Sequence, residues 1–120
     1  MKSARTIRLV LVTAPNRKTA RSLAKAALTA RLVACANIVP GLESHYWWQG
    51  ALERSSELLI LFKTTRSHLA ALEKLILDLH PYDTPEIISL SLDASTPRYL
   101  DWILTSTPHG KRAPKDHPVV

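Results

Sequence analysis

Apolar positions change period several times along this chain, and each change marks an element. Thr6 to Ala14 is β-branched and apolar with only Arg8 breaking the run, and it stops at Pro15, which predicts a largely buried strand. Asn16 then caps a helix in which Ala20, Leu23, Ala24, Ala27 and Arg31 recur at helical spacing. From Leu32 to Val39 the pattern turns β-like. It breaks at Pro40-Gly41, as a bulge or bend would break it, and resumes from Leu42 to Trp48. Gln49-Gly50 supplies a turn, and Glu53 to Lys63 returns as a third strand, giving an unusually long hairpin.

Ser67 is placed to cap a second helix with the stripe Leu69, Leu72, Ile76 and Leu79, which must end at His80 because Pro81 disfavours helical geometry before it. Glu86 to Leu92 alternates as a half-buried strand, and Pro97 opens a short helix, Arg98 to Thr105. The order β-α-β-β-α-β-α predicts an α+β, ferredoxin-like βαββαβ sandwich with two helices on one face of an antiparallel sheet, an extended hairpin between the second and third strands, and a short C-terminal helix. Residues 1–107 form one domain in this reading, and the proline-bearing tail 108–120 is expected to be disordered.

Hairpin strands of this length exceed what a small four-stranded sheet uses, so the surplus must project. Its tip carries Tyr46, Trp47 and Trp48. Either these rings fold back over their own sheet or they join neighbouring copies as an oligomer interface, and the second option predicts a closed symmetric ring.

Composition narrows the chemistry. Three glycines in 120 residues leave no Walker loop and no GxGxxG fingerprint. A single cysteine, Cys35, forbids an intrachain disulfide and a CxxC pair, and fits a reducing, cytoplasmic location. No stretch is long and apolar enough for a membrane helix, and the run behind Lys2 and Arg5 is too short for a signal peptide. The net charge of +6 is divided unevenly: +8 over residues 1–31, −4 over 32–105 and +2 over the tail. A basic first third beside an acidic middle does not predict a nucleic-acid partner. The first helix's Arg17, Lys18, Arg21 and Lys25 read most simply as a solvated face.

The densest group of rigid and titratable residues is His80-Pro81-Tyr82-Asp83-Thr84-Pro85-Glu86, in which two prolines fix a loop. It would hold a divalent cation or a small polar ligand, or else His80 caps the helix and the carboxylates face water. Cys35 shares a strand face with Asn37, as inert core or as a soft copper ligand. Lys63 would pair with Glu57 or Glu86, or face a ligand anion. His45, His68, His109 and His117 read as surface residues. No GxSxG elbow, Cys-His pair or RNP1-like aromatic pair is present, so neither an enzyme nor an RNA module is expected.

Val12-Thr13-Ala14-Pro15, Leu32 through Gly41, Tyr46-Trp47-Trp48-Gln49-Gly50, Glu57 with Lys63-Thr64, His80-Pro81-Tyr82 with Pro85-Glu86-Ile87, and Tyr99-Leu100-Asp101-Trp102 together resemble the CutA family of divalent-cation tolerance proteins. The resemblance implies a homotrimer similar to the PII signalling proteins, a role in tolerance of divalent metals such as copper, and no obligatory cofactor. It also implies intersubunit clefts lined at Cys35, Asn37, Tyr46, Trp48, Glu57, Lys63, His80, Tyr82, Glu86, Tyr99 and Trp102. Some copper-binding members have a cysteine where this chain has Val12 and a histidine where it has Leu79. The expected metal set here is therefore His80, Cys35 and Glu86. A PII-like module taking a small ligand in the cleft is the alternative.

Overall fold

The computed structural model describes residues 1–107, so the predicted disordered tail, with His109 and His117, lies outside the described residues. In chain order the elements are β1 (Lys2–Ser3), β2 (Ile7–Ala14), α1 (Arg17–Thr29), β3 (Cys35–Trp48), β4 (Ala51–Thr65), α2 (Leu69–Leu79), β5 (Ile87–Ser91), β6 (Ala94–Ser95) and α3 (Pro97–Ser106). β3, β4, β2 and β5 pair in that order into one antiparallel sheet. The order is that of the expected ferredoxin-like α+β fold. β1 and β6, each two residues long, form a small second sheet that the hydrophobic pattern did not announce.

Alternation on the strands decides where the core lies. Val10, Val12 and Ala14 of β2 and Ile60 and Phe62 of β4 point to one face, where Ala20, Leu23 and Ala27 of α1 and Leu72 and Ile76 of α2 close over them. α1 begins as expected, with Asn16 Oδ1 accepting from the Thr19 N–H at 2.8 Å. It ends at Thr29, two residues before Arg31, which takes a left-handed φ of 60°. Arg17, Lys18, Arg21 and Lys25 are exposed.

Ser67 does not cap α2. The chain enters through a 3₁₀ turn, Arg66–His68, in which the Ser67 hydroxyl meets the Thr65 hydroxyl at 3.0 Å. His68, expected at the surface, is buried by that turn. At the other end His80 is extended, because Pro81 follows it.

The hairpin is zipped along its whole length, from Cys35↔Lys63 to Trp48↔Ala51, with the expected irregularity between Val39 and Leu42 where Gly41 takes φ +85°. Gln49 and Gly50 both have positive φ, which matches the right-handed twist of the flanking strands. The third strand therefore runs from Ala51 to Thr65 rather than from Glu53 to Lys63. Trp47 is 74% exposed and Tyr46 and Trp48 are 40% and 42% exposed, so none of the three tip rings is buried against its own sheet.

Among the described residues, the sheet's second face is mostly uncovered. α3 closes only one end of it, where Leu100 and Ile103 pack on Ala4 and Ile7. Across the remainder, Asn37, Leu61, Leu11 and Ile88 form one row over four strands, and Val39 and Leu59 stand beside them. The expectation that residues 86–92 form a half-buried strand fails here: Ile88 and Leu90 are 47% and 44% exposed because nothing among the described residues lies over them.

Candidate functional site

Pro81 and Pro85 bracket the loop that joins α2 to β5, and His80 pins its start. The imidazole is buried. Its Nε2–H donates to the Thr13 carbonyl at 2.7 Å, and its Nδ1 accepts the Tyr82 N–H at 3.1 Å. These two partners fix the tautomer and leave neither ring nitrogen free. The Tyr82 ring lies 4.7 Å from the imidazole, and its hydroxyl donates to Glu57 Oε2 at 2.6 Å. Glu57 is itself only 8% exposed.

Between this loop and the hairpin opens a cleft of about 800 Å³, lined by Thr13, Glu57, Tyr82, Asp83 and Glu86 on one side and by Tyr46, Trp47 and Trp48 on the other. Burial, together with the hydrogen bond and the negative charge of Glu57, pushes the Tyr82 phenol well above its ordinary value of about 10. In a spectrophotometric titration of tyrosinate absorbance, the Tyr82→Phe variant is expected to lose the last ring to ionise. A last step that survives the substitution would contradict the assignment. The sign follows: a phenol whose folded pKa is raised contributes stability that is complete below about pH 10 and is lost as the pH climbs beyond it.

A second cluster occupies the opposite end of the same sheet face. Lys63 Nζ donates to the Tyr99 hydroxyl at 3.0 Å and stands 5.4 Å from that ring's centre, and the Trp102 ring lies tilted at 37° to Tyr99 with 5.4 Å between centres. Cys35, which pairs with Lys63 across the ladder, donates its thiol to Asn37 Oδ1 at 3.3 Å. Lys63 thus meets neither Glu57 nor Glu86, two of the three options the sequence left it beside a ligand anion. It lies six positions along the strand from Glu57, about 20 Å.

The sequence-derived cleft set is therefore divided within one chain. Trp48, Glu57 and Tyr82 share the cleft with Glu86, while Asn37, Lys63, Tyr99 and Trp102 do not reach it. The expected metal set is divided as well. Cys35 lies level with Leu9 on β2, four residues from the Thr13 carbonyl that holds His80, or about 13 Å along the strand. Among the described residues, no group of three His, Cys, Asp or Glu side chains is placed to hold a metal ion. Sequence reasoning missed Thr13, whose role is carried by a backbone carbonyl and leaves no side-chain signal. It also left His45 at the surface, where it is exposed but lines the cleft and bonds Glu43 at 2.8 Å.

Comparison with known proteins places these features. Residues 8–106 match the family model described as CutA1 divalent ion tolerance protein. The chain is 46% identical over 99 residues to the divalent-cation tolerance protein CutA of Thermus thermophilus, covering 82% of this chain and 96% of that one. It is 41% identical to the chloroplastic protein CutA 1 of Oryza sativa subsp. japonica, covering 82% of this chain but only 56% of the rice protein. The solved structure of the Thermus thermophilus protein superposes with a TM-score of 0.83 at 44% identity, over 85% of this chain and 99% of that one. With the fold, the long hairpin and the His80-Pro81-Tyr82 loop all accounted for, this chain belongs to the CutA1 family of divalent-ion tolerance proteins.

Proposed function

We propose that the protein acts in divalent-cation tolerance as a non-enzymatic homotrimer that binds divalent ions weakly in the cleft beside His80. One observation carries the reading: the exposed Asp83 and Glu86 and the buried Glu57 line that cleft, and among the described residues of the chain no lysine or arginine does. Exposed carboxylates attract a hydrated divalent ion without a preformed cage, so affinity is low and ion selectivity slight. A copper site built from imidazole and thiolate does not fit these residues, because both His80 nitrogens are engaged and Cys35 is remote. The homotrimer is supported by the uncovered apolar face and the exposed tip aromatics.

A cytoplasmic location belongs to the same proposal, on the strength of the single unpaired Cys35 thiol. Among the described residues, no helix is long and apolar enough to cross a membrane. Titration calorimetry with Cu(II) and with Zn(II) tests the cation reading. Both ions are expected to bind weakly, and an Asp83→Asn, Glu86→Gln double variant to lower the affinity about tenfold. Tight copper-selective binding that ignores this double variant would overturn the cleft assignment.

A further inference from the structure

We infer that the outer face of α1 is a docking surface for an acidic helical segment of another protein, held by the row Arg17, Arg21 and Lys25 with Lys18 beside it. The inference rests neither on the cleft nor on the assembly proposed above. α1 packs on the helix-bearing face of the sheet, so copies that meet on the uncovered face lie on the other side of the sheet from it.

Ala20, Leu23, Ala24 and Ala27 turn α1 inward, and at 3.6 residues per turn the four cations fall within an arc of about 100° on its outer side. All four are exposed, and none forms an ion pair among the described residues. The helix itself offers them no partner, since no aspartate or glutamate precedes Glu43 in the chain.

Local stability opposes this arrangement. Arg17 with Arg21 and Arg21 with Lys25 are like-charge pairs one turn apart. Arg17 and Lys18 also stand in the first turn, where the helix dipole favours anions and no acidic residue is present. Solvation alone asks for none of this, because glutamates mixed among the cations would hydrate as well and add favourable pairs along the helix. A row that breaks a local rule with no return inside the fold is what a binding surface looks like.

The chemistry of the face selects its occupant. Successive cations of the row repeat every four residues, about 6 Å, and carboxylates on every fourth residue of a partner helix repeat at the same pitch. Charge pairs then form in register along the row. Leu28, 40% exposed in the same arc, gives the row an apolar end for a partner's apolar side chain. The face has no aromatic ring on which bases could stack, and one leucine is too little apolar surface to enter a bilayer.

Fluorescence anisotropy on the full chain tests this with a labelled alanine-glutamine peptide helix carrying glutamate at every fourth position, and with an isomer of the same composition whose glutamates are spread around the helix. The row-matched peptide is expected to bind several-fold tighter than the isomer and to weaken as salt is raised. The Arg17→Gln, Arg21→Gln, Lys25→Gln variant should lose about tenfold in affinity while melting no lower than the unaltered protein. Lys74→Gln, which removes the exposed cation paired with Asp78 on α2, should bind as before. Equal or absent affinity for the two peptides, or unchanged binding by the triple variant, would overturn the docking surface. Tighter binding to a single-stranded DNA oligomer or to phosphatidylserine vesicles than to the row-matched peptide would overturn the protein partner.

Discussion

The variant Leu61→Arg is expected to remain folded and to stay a single chain at concentrations where the unaltered protein assembles. Leu61 stands in the middle of the uncovered sheet face, between Asn37 on β3 and Leu11 on β2. Its side chain touches neither helix layer, so the core of Val10, Ile60, Phe62, Leu72 and Ile76 is undisturbed. A guanidinium at the centre of an apolar contact must be desolvated without a partner, which costs more than such a contact returns. Light scattering coupled to size exclusion reads the mass, and circular dichroism reads the fold. The neighbouring residue is the control. Phe62 is fully buried on the opposite face, so Phe62→Ala should cost about 3–5 kcal/mol of stability. If Leu61→Arg assembles like the unaltered protein, that face is not where the copies meet.

His80→Ala carries the second large effect, and it is an effect on stability. Removing the imidazole strips the Thr13 carbonyl of its donor and the Tyr82 N–H of its acceptor, both at buried or half-buried sites. Leaving such groups unmet costs roughly 1–3 kcal/mol each, so a loss of about 2–6 kcal/mol is expected in urea unfolding. His80→Gln, which keeps a donor, should recover part of it. Affinity for Zn(II) should change by no more than a few-fold in either variant, since neither nitrogen is free to coordinate. A variant of unchanged stability that has lost its metal binding would make His80 a ligand rather than a strut.

What the sequence revealed here depended on whether a signal was local. The strand at Ile7–Ala14, the Asn16 cap, the stop at His80 and the Pro40-Gly41 bulge each follow from a few adjacent residues whose geometry is constrained whatever surrounds them. The hairpin's length was legible for the same reason. β1 and β6 were not, because two-residue strands have no period to detect. Ser67 was misread as a cap since a 3₁₀ turn uses the same polar residues as a helix start, and the turn, not composition, buries His68.

The site was legible in its residues and not in its grouping. His80, Tyr82, Glu57 and Trp48 were all singled out, yet only pairing register shows that Lys63 and Tyr99 belong to the other end of the face. The role of His80 turned on the Thr13 carbonyl, a contact across 67 residues of chain that no motif encodes.

A cleft shared between copies requires that the uncovered face of the sheet be covered by further copies of this chain. Sedimentation equilibrium of the unaltered protein across a wide concentration range measures this directly. A particle of three chain masses that persists on dilution is the predicted result. A folded particle of one chain mass at every concentration would contradict it, and with it the shared cleft.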